Sequence, residues 1–449
     1  MLLPRTVEEY VPGEDIARYI DAFVEELDLS KIEDGYSSEG RPGFNPAVLV
    51  KILVYGKLRG VRSCRELARA VTENLKFIYL ASGERPDFRT IALFRKRFHR
   101  ELAQILQQTI EIGLESGAIN LEHVAVDGTL IPGFANAGSF KSPEYLAKYL
   151  AYLEKSLEED IKQDDSDDPD DFTPPPLPKA LHDRKELTRR VRAALKQHVP
   201  GKIEKCSITD PDCRKAWRGP AYNAQAAVDE HSRMVVGGYA TNTVTDSAEL
   251  IPVLQDLEQR AKTTPKRVSA DGGYKAQRNL TYLEEKKIEG YIPQARPQCG
   301  EFSLADFSYQ PDSDSYTCPA GRRLVRRFVH NSKGRSYRAV DSCADCRLKQ
   351  KCLRKTALAI EPERRNLFIS HRQPLIEQML KRVESDIGQR MRKKRSSTVE
   401  TLFAHLKYLR KFTRFTFRGL AMVNSMWLFE LAVYNIERLL RITRAGATA

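Results

Sequence analysis

The chain has 449 residues, 41% hydrophobic and 30% charged, enough for a large core and two or more domains. That composition fits a soluble globular protein, and a net charge of +13 favours an anionic partner. Met1 to Tyr10 holds no apolar signal core, so a cytoplasmic protein is expected. Residues 419–440 are largely apolar but contain Asn424, Glu430, Asn435 and Glu437, which predicts a buried helix and no membrane span. The positive charge is concentrated. Residues 314–356 and 381–418 each carry 12 Lys and Arg against 3 acids, so the rest of the chain is net negative. Concentration of this kind suits a phosphate-binding surface.

Residues 1–118 read as helical. Asp15 to Leu29 has helical periodicity, and Asn45-Pro46 supplies an N-cap and a first-turn proline for Ala47–Leu58. Ser63-Cys64-Arg65-Glu66 has the form of a capping box opening a helix to Leu80. Pro86-Asp87 opens another, Arg89 to Ser116, with Gly117 as its stop. Arg59, Arg62, Arg65, Arg69, Arg95 and Arg97 fit either a helix-turn-helix-like DNA-binding module or a plain bundle, which periodicity does not separate.

His123 to Thr129 changes the pattern to a buried strand ending in Asp127. Asp127-Gly128 taken alone reads as a hairpin turn. An insertion follows at 135–217: a helix Ser142–Glu159, an acidic run to Asp171, the linker Thr173 to Pro178, and a basic helix Arg184–Gln197. Cys206 and Cys213 are too isolated to argue for metal. Ala221–Asn242 reads as a strand pair turning at Asp229–Ser232. Ser247–Lys262 is a helix, Lys266–Tyr274 a short strand ending in Asp271-Gly272, Asn279–Lys287 a helix, and Gly290–Pro293 a last short strand.

Eight cysteines in a chain without an export signal are expected to be reduced. Cys343 and Cys346 have metal-knuckle spacing, and Cys318 and Cys352 complete a candidate four-thiolate zinc site. The segment around them is loop-rich with little apolar content, so a metal would help it stay folded. Arg392 to Lys407 then sets Glu400 among cations. Leu402, Leu406 and Leu409 have amphipathic helical spacing, Ser397 or Thr398 is placed to cap the start, and Glu400 and Lys407 share a face.

Each Asp falls at a strand end, and Glu400 lies on a helix that can pack across those ends. Three converging carboxylates repel unless a cation sits between them, and hard oxygen ligands select Mg²⁺ or Mn²⁺. On these motifs the chain resembles the DDE transposases of bacterial insertion sequences. The matching pieces are Val126–Thr129, Ala270–Tyr274, Thr398-Val399-Glu400 with Lys407, Arg418-Gly419, Ala432–Asn435, Gly60–Leu67 and Pro86–Thr90. The four-cysteine insert also occurs in one branch of that family.

The resemblance implies an α/β fold with an RNase H-like mixed sheet and flanking helices. It is preceded by a helical DNA-binding or dimerisation domain (1–118) and interrupted by the 135–217 insertion and a basic cysteine-rich insert (299–360). The core then occupies 119–298 and 361–449. Asp127, Asp271 and Glu400 are implied as the catalytic, metal-binding triad, and Lys407 as a contact to terminal DNA. Relatives often carry Tyr and Arg seven and four residues before the Glu. Here Lys393 and Ser396 stand there, leaving Arg392 or Arg395 for the phosphate contact. Arg410, Lys411, Arg414 and Arg418 extend that basic region. The implied activity is metal-dependent cleavage at element ends and strand transfer into double-stranded target DNA, by a homodimer in the DNA complex. The rival readings are a metal-dependent nuclease without strand transfer, and a non-catalytic DNA-binding protein or decayed transposase.

Overall fold

The computed structural model describes residues 6–36, 43–162, 184–200, 203–293, 302, 304–327, 334–352, 364–371 and 373–447. Most of the predicted acidic and proline-rich linker (163–178) lies outside them. The chain divides into two compact units, Met1–Val268 with Lys393–Ala449, and Ser269–Arg392. The fold is mixed α/β.

The first unit opens with helices. Asp15 caps Ile16–Glu25 by accepting from the Ala17 amide at 2.9 Å, and Asn45 caps Pro46–Leu58 through the Ala47 amide at 2.8 Å. Two predicted helices are each broken in two. The first becomes Cys64–Glu73 and Leu75–Leu80, because Asn74 leaves helical geometry and caps the second piece. Ser63 precedes the first piece without a side-chain cap bond. The second becomes Phe88–Arg97 and His99–Glu115, parted at Phe98, with Asp87 capping the start and Gly117 at φ +69° ending the run.

Strand β1 (His123–Pro132) comes next. The short strands β2 (Phe140–Lys141) and β3 (Cys206–Ser207) pair at the base of the insertion. Helices Pro143–Lys162 and Arg184–Lys196 close the insertion into a hairpin around Leu146, Leu153, Leu187 and Val191. Cys206 belongs to that same core, and Cys213 is also buried. β4 (Arg214–Ala216) and β5 (Gly219–Asp229) form a hairpin; β6 (Val235–Thr241) pairs antiparallel with β5. β5 runs antiparallel to β1 with Asp127 opposite Ala226, and β7 (Arg267–Ser269) lies on β1's other side.

The C-terminal helix Leu420–Ala447 explains its own polar residues. β6 is an edge strand, and free edges need covering. Asn435 takes the Val235 amide and gives an N–H to the Val235 carbonyl, both at 2.8 Å, while Asn424 accepts the Ala240 amide at 2.8 Å. Trp427, fully buried, donates to the Gln225 carbonyl at 2.9 Å. Glu430 is buried between Lys57, with which it pairs, and Arg62, whose fork reaches it at 2.6 and 3.0 Å. Burial opposes its charge, but these two cations outweigh that and hold Glu430 down to about 2. Among the described residues no helix is long and apolar enough to cross a membrane.

In the second unit, helix Gln277–Glu285 precedes β8 (Glu289–Tyr291). β8 is not the last strand. The cysteine-rich segment, expected to be loop-rich, is a five-stranded antiparallel sheet. Its strands are β9 (Ser308–Gln310), β10 (Ser315–Thr317), β11 (Arg323–Arg327), β12 (Gly334–Ala339) and β13 (Asn366–Ser370), paired in sequence order. It builds a small core from Phe307, Leu324, Tyr337 and Leu367, so metal is not its sole source of order.

Candidate active site

Asp127 is not in a turn. It sits midway along β1, which continues five residues past it to Pro132. Gly128 is required by packing: a Cβ there would lie 2.0 Å from Gln225 Nε2 and 2.6 Å from Asp246 Oδ1. Side chains alternate along a strand, so Asp127 and Thr129 leave the same face.

The Glu400 segment packs against β1 and β5. The helix begins well before Ser397, at Asp386, with Ser385 accepting the Gly388 amide at 3.1 Å. Ser397 and Thr398 therefore lie inside a continuous helical run and cap nothing. Two π-helical turns, Ser396–Glu400 and His405–Leu409, flank Thr401–Ala404. Such turns shift helical phase and recur at functional sites. Leu402 and Leu406 point into the core as predicted, but Leu409 is 69% exposed because the second π turn rotates it off that face.

Arg395 lies between the two acids. Its terminal nitrogens donate to Asp127 Oδ2 and to Glu400 Oε1, each at 2.7 Å. Asp127 Oδ1 accepts from the Gly128 amide at 2.8 Å, and Glu400 Oε2 accepts from the Ser396 hydroxyl at 2.7 Å. The Arg395 and Asp127 side chains are 14% and 15% exposed, whereas Glu400 is 51% exposed. The bridge is thus shielded on the strand side and open on the helix side. Lys407 donates to the Thr129 hydroxyl on the same strand face. Burial, and then the charge of Arg218, lower its pKa.

Of the other predicted DNA contacts, Arg392, Lys411 and Arg414 are exposed and Arg418 is half-buried. Arg414 and Arg418 stack on Phe134 at 5.1 and 4.7 Å and donate to the Gly133 and Phe134 carbonyls. Arg410 is a correction. It is 1% exposed and pairs with Glu437, so its guanidinium is inside the fold and not on a phosphate-binding surface. Thr129 and Ser396 were missed. Strand alternation from Asp127 and the four-residue helical spacing to Glu400 were the signals that could have found them.

Asp271 belongs to the second unit. It caps the short turn Gly272–Tyr274, accepting from the Gly273 amide at 2.8 Å, while the Ala270 amide reaches the Tyr291 carbonyl of β8 at 3.3 Å. In the same unit Cys318, Cys343, Cys346 and Cys352 line one cavity of about 20 Å³, room for a single ion or water. The other thiols and burial raise the Cys352 pKa, burial being the larger cause. Among the described residues no group of three or more His, Cys, Asp or Glu is arranged to hold a metal ion. The donors nonetheless suit metals of two kinds: soft thiolates for zinc, and for a hard divalent ion the two carboxylates that already share a cation.

Two family models match. "Transposase domain (DUF772)" covers residues 5–97, and "Transposase DDE domain" covers residues 317–440, including Glu400 and Lys407 but neither Asp127 nor Asp271. No curated protein and no solved structure gives a significant match. With a transposase model on each side of the β1 strand that carries Asp127, the two matches support a DDE transposase of the insertion-sequence type.

Proposed function

We propose that this transposase cuts DNA at the ends of its element and transfers the freed 3′ ends to target DNA. Asp127, Asp271 and Glu400 would be the carboxylates that hold Mg²⁺ or Mn²⁺. The observation that carries the reading is the convergence of Asp127 and Glu400, remote in sequence, on one cation at 2.7 Å from each. Such a pair is costly unless neutralised, and its oxygens are the ligands a hard divalent ion takes. Bound there, such ions would supply activation of the attacking oxygen and stabilisation of the leaving 3′ oxygen in an in-line displacement.

The chain's own groups would position the substrate. Lys407 is anchored beside Asp127 through Thr129 and would contact a phosphate of the terminal DNA. Exposed Arg392, Lys411 and Arg414, with Arg418, would extend that contact along the backbone. An RNase H-like core is supported by the strand order β6-β5-β1-β7 with the acid on the central strand. We also propose a structural zinc on the four cysteines, and a homodimer, since two element ends must be held together.

The test is incubation of the purified protein with DNA bearing the element's ends, with Mg²⁺ or Mn²⁺. Nicks at the boundary followed by joined products support the reading. Nicks without joining leave a nuclease, and binding without either overturns it.

A further inference from the structure

Asp127 and Glu400 are held together by Arg395, not left open. Each carboxylate has one oxygen on the Arg395 fork and the other on a fixed local donor, the Gly128 amide or the Ser396 hydroxyl. A divalent ion taking both acids must therefore displace the guanidinium. At 14% exposure, a displaced guanidinium needs another anion nearby, because an unpaired, largely buried charge is costly. Half-buried Lys407 stands on the same strand face as Asp127 through the Thr129 hydroxyl, and a phosphate arriving beside it, on the side where Glu400 is 51% exposed, would supply that anion.

We propose that Arg395 is a tethered counter-cation that competes with the divalent ion for Asp127 and Glu400, and that DNA phosphate relieves the competition by taking the guanidinium. This rests on the metal-binding reading above. It makes metal loading and DNA binding favour each other through one side chain, a reciprocal linkage. The free protein would then be poorly charged with metal and would become competent when substrate arrives. Ser396 contributes by fixing the Glu400 carboxylate from the side opposite Arg395.

The test is Mn²⁺ binding to the full chain, read from the electron paramagnetic resonance of free Mn²⁺, with and without a duplex carrying the element's end. Arg395→Gln should bind Mn²⁺ about tenfold more tightly than wild type without DNA, equivalent to ~1.4 kcal/mol. DNA should tighten binding to wild type but add little in the variant. Arg395→Lys keeps the charge but loses the fork and should fall between. Thermal unfolding of each variant with and without Mn²⁺ gives a second readout, in which the Mn²⁺-dependent gain is larger for Arg395→Gln. Unchanged or weaker Mn²⁺ binding by Arg395→Gln, or an equal DNA effect in both proteins, overturns the proposal. Asp127→Asn separates the two levels. If it leaves Mn²⁺ binding untouched, the metal-site reading itself fails. If it abolishes binding while Arg395→Gln matches wild type, only the role of Arg395 fails.

Discussion

Glu430 offers the sharpest test of how the N-terminal helices are attached to the sheet. Its carboxylate is fully buried, and the cations it neutralises, Lys57 and Arg62, are only 6% and 17% exposed. Arg62 also donates to the Arg410 carbonyl at 2.6 Å and stacks on Phe412 at 4.8 Å, so the cluster links three segments of the first unit. Glu430→Gln keeps the shape but leaves two buried positive charges facing each other. Breaking a buried pair from one side costs about 3–5 kcal/mol. An exposed pair such as Lys266–Glu122, 71% and 46% exposed, is worth about 0–1 kcal/mol. The unfolding entropy of a unit this size turns the larger figure into a fall of ~5 °C in midpoint. Chemical denaturation of Glu430→Gln, Lys57→Met and the double variant Lys57→Met/Glu430→Leu would measure it. The double variant should be more stable than Glu430→Gln, because it strands one buried cation, Arg62, where Glu430→Gln strands two. A loss under about 1 kcal/mol for Glu430→Gln would refute the claim that these charges are desolvated and mutually dependent.

Further expectations concern charge and metal. Lys407→Ala should weaken binding to element-end DNA and reduce the magnitude of the salt-dependence slope by about 1, which a binding titration across salt concentrations checks. His123 is buried, which is the main cause of its pKa falling to about 4 from an ordinary 6.5. A lowered value means the folded state resists protonation. The contribution is complete above pH 6.5 and is lost as pH falls towards 4, up to ~3 kcal/mol at 1.36 per unit. His123→Gln should flatten the stability profile between those pH values. Elemental analysis should find about one zinc per chain, and well under one would remove the four-thiolate site.

Local chemistry was the most legible part of the sequence. Asn45-Pro46, Asp87 and Gly117 announce helix ends through their own backbone and side-chain preferences, and the structure uses them so. The β5–β6 pair was equally visible in its alternation. What depended on distant partners was not. Asp127-Gly128 looks like a turn because Gly is the usual turn residue, but Gly128 is fixed by Gln225 and Asp246 across the sheet. Arg410 looks like another surface cation until Glu437 is brought beside it. Leu409 keeps helical spacing only if the helix keeps its phase, and π turns break that phase. The cysteine-rich sheet was hidden because strands such as Arg323–Arg327 turn one leucine inward among arginines, too sparse a pattern to register. Within the candidate site, the acids and Lys407 were singled out by the resemblance of their motifs to the family, since Asp127-Gly128 taken alone reads as a turn. That one guanidinium spans Asp127 and Glu400 required the fold.

The most direct measurement is cleavage of end-bearing DNA by wild type and Asp127→Asn in parallel, with Mg²⁺, with Mn²⁺ and with chelator. The account predicts nicks at the element boundary only with metal and only in the wild-type protein, while both proteins bind the DNA. Cleavage that persists in Asp127→Asn, or in chelator, would contradict it.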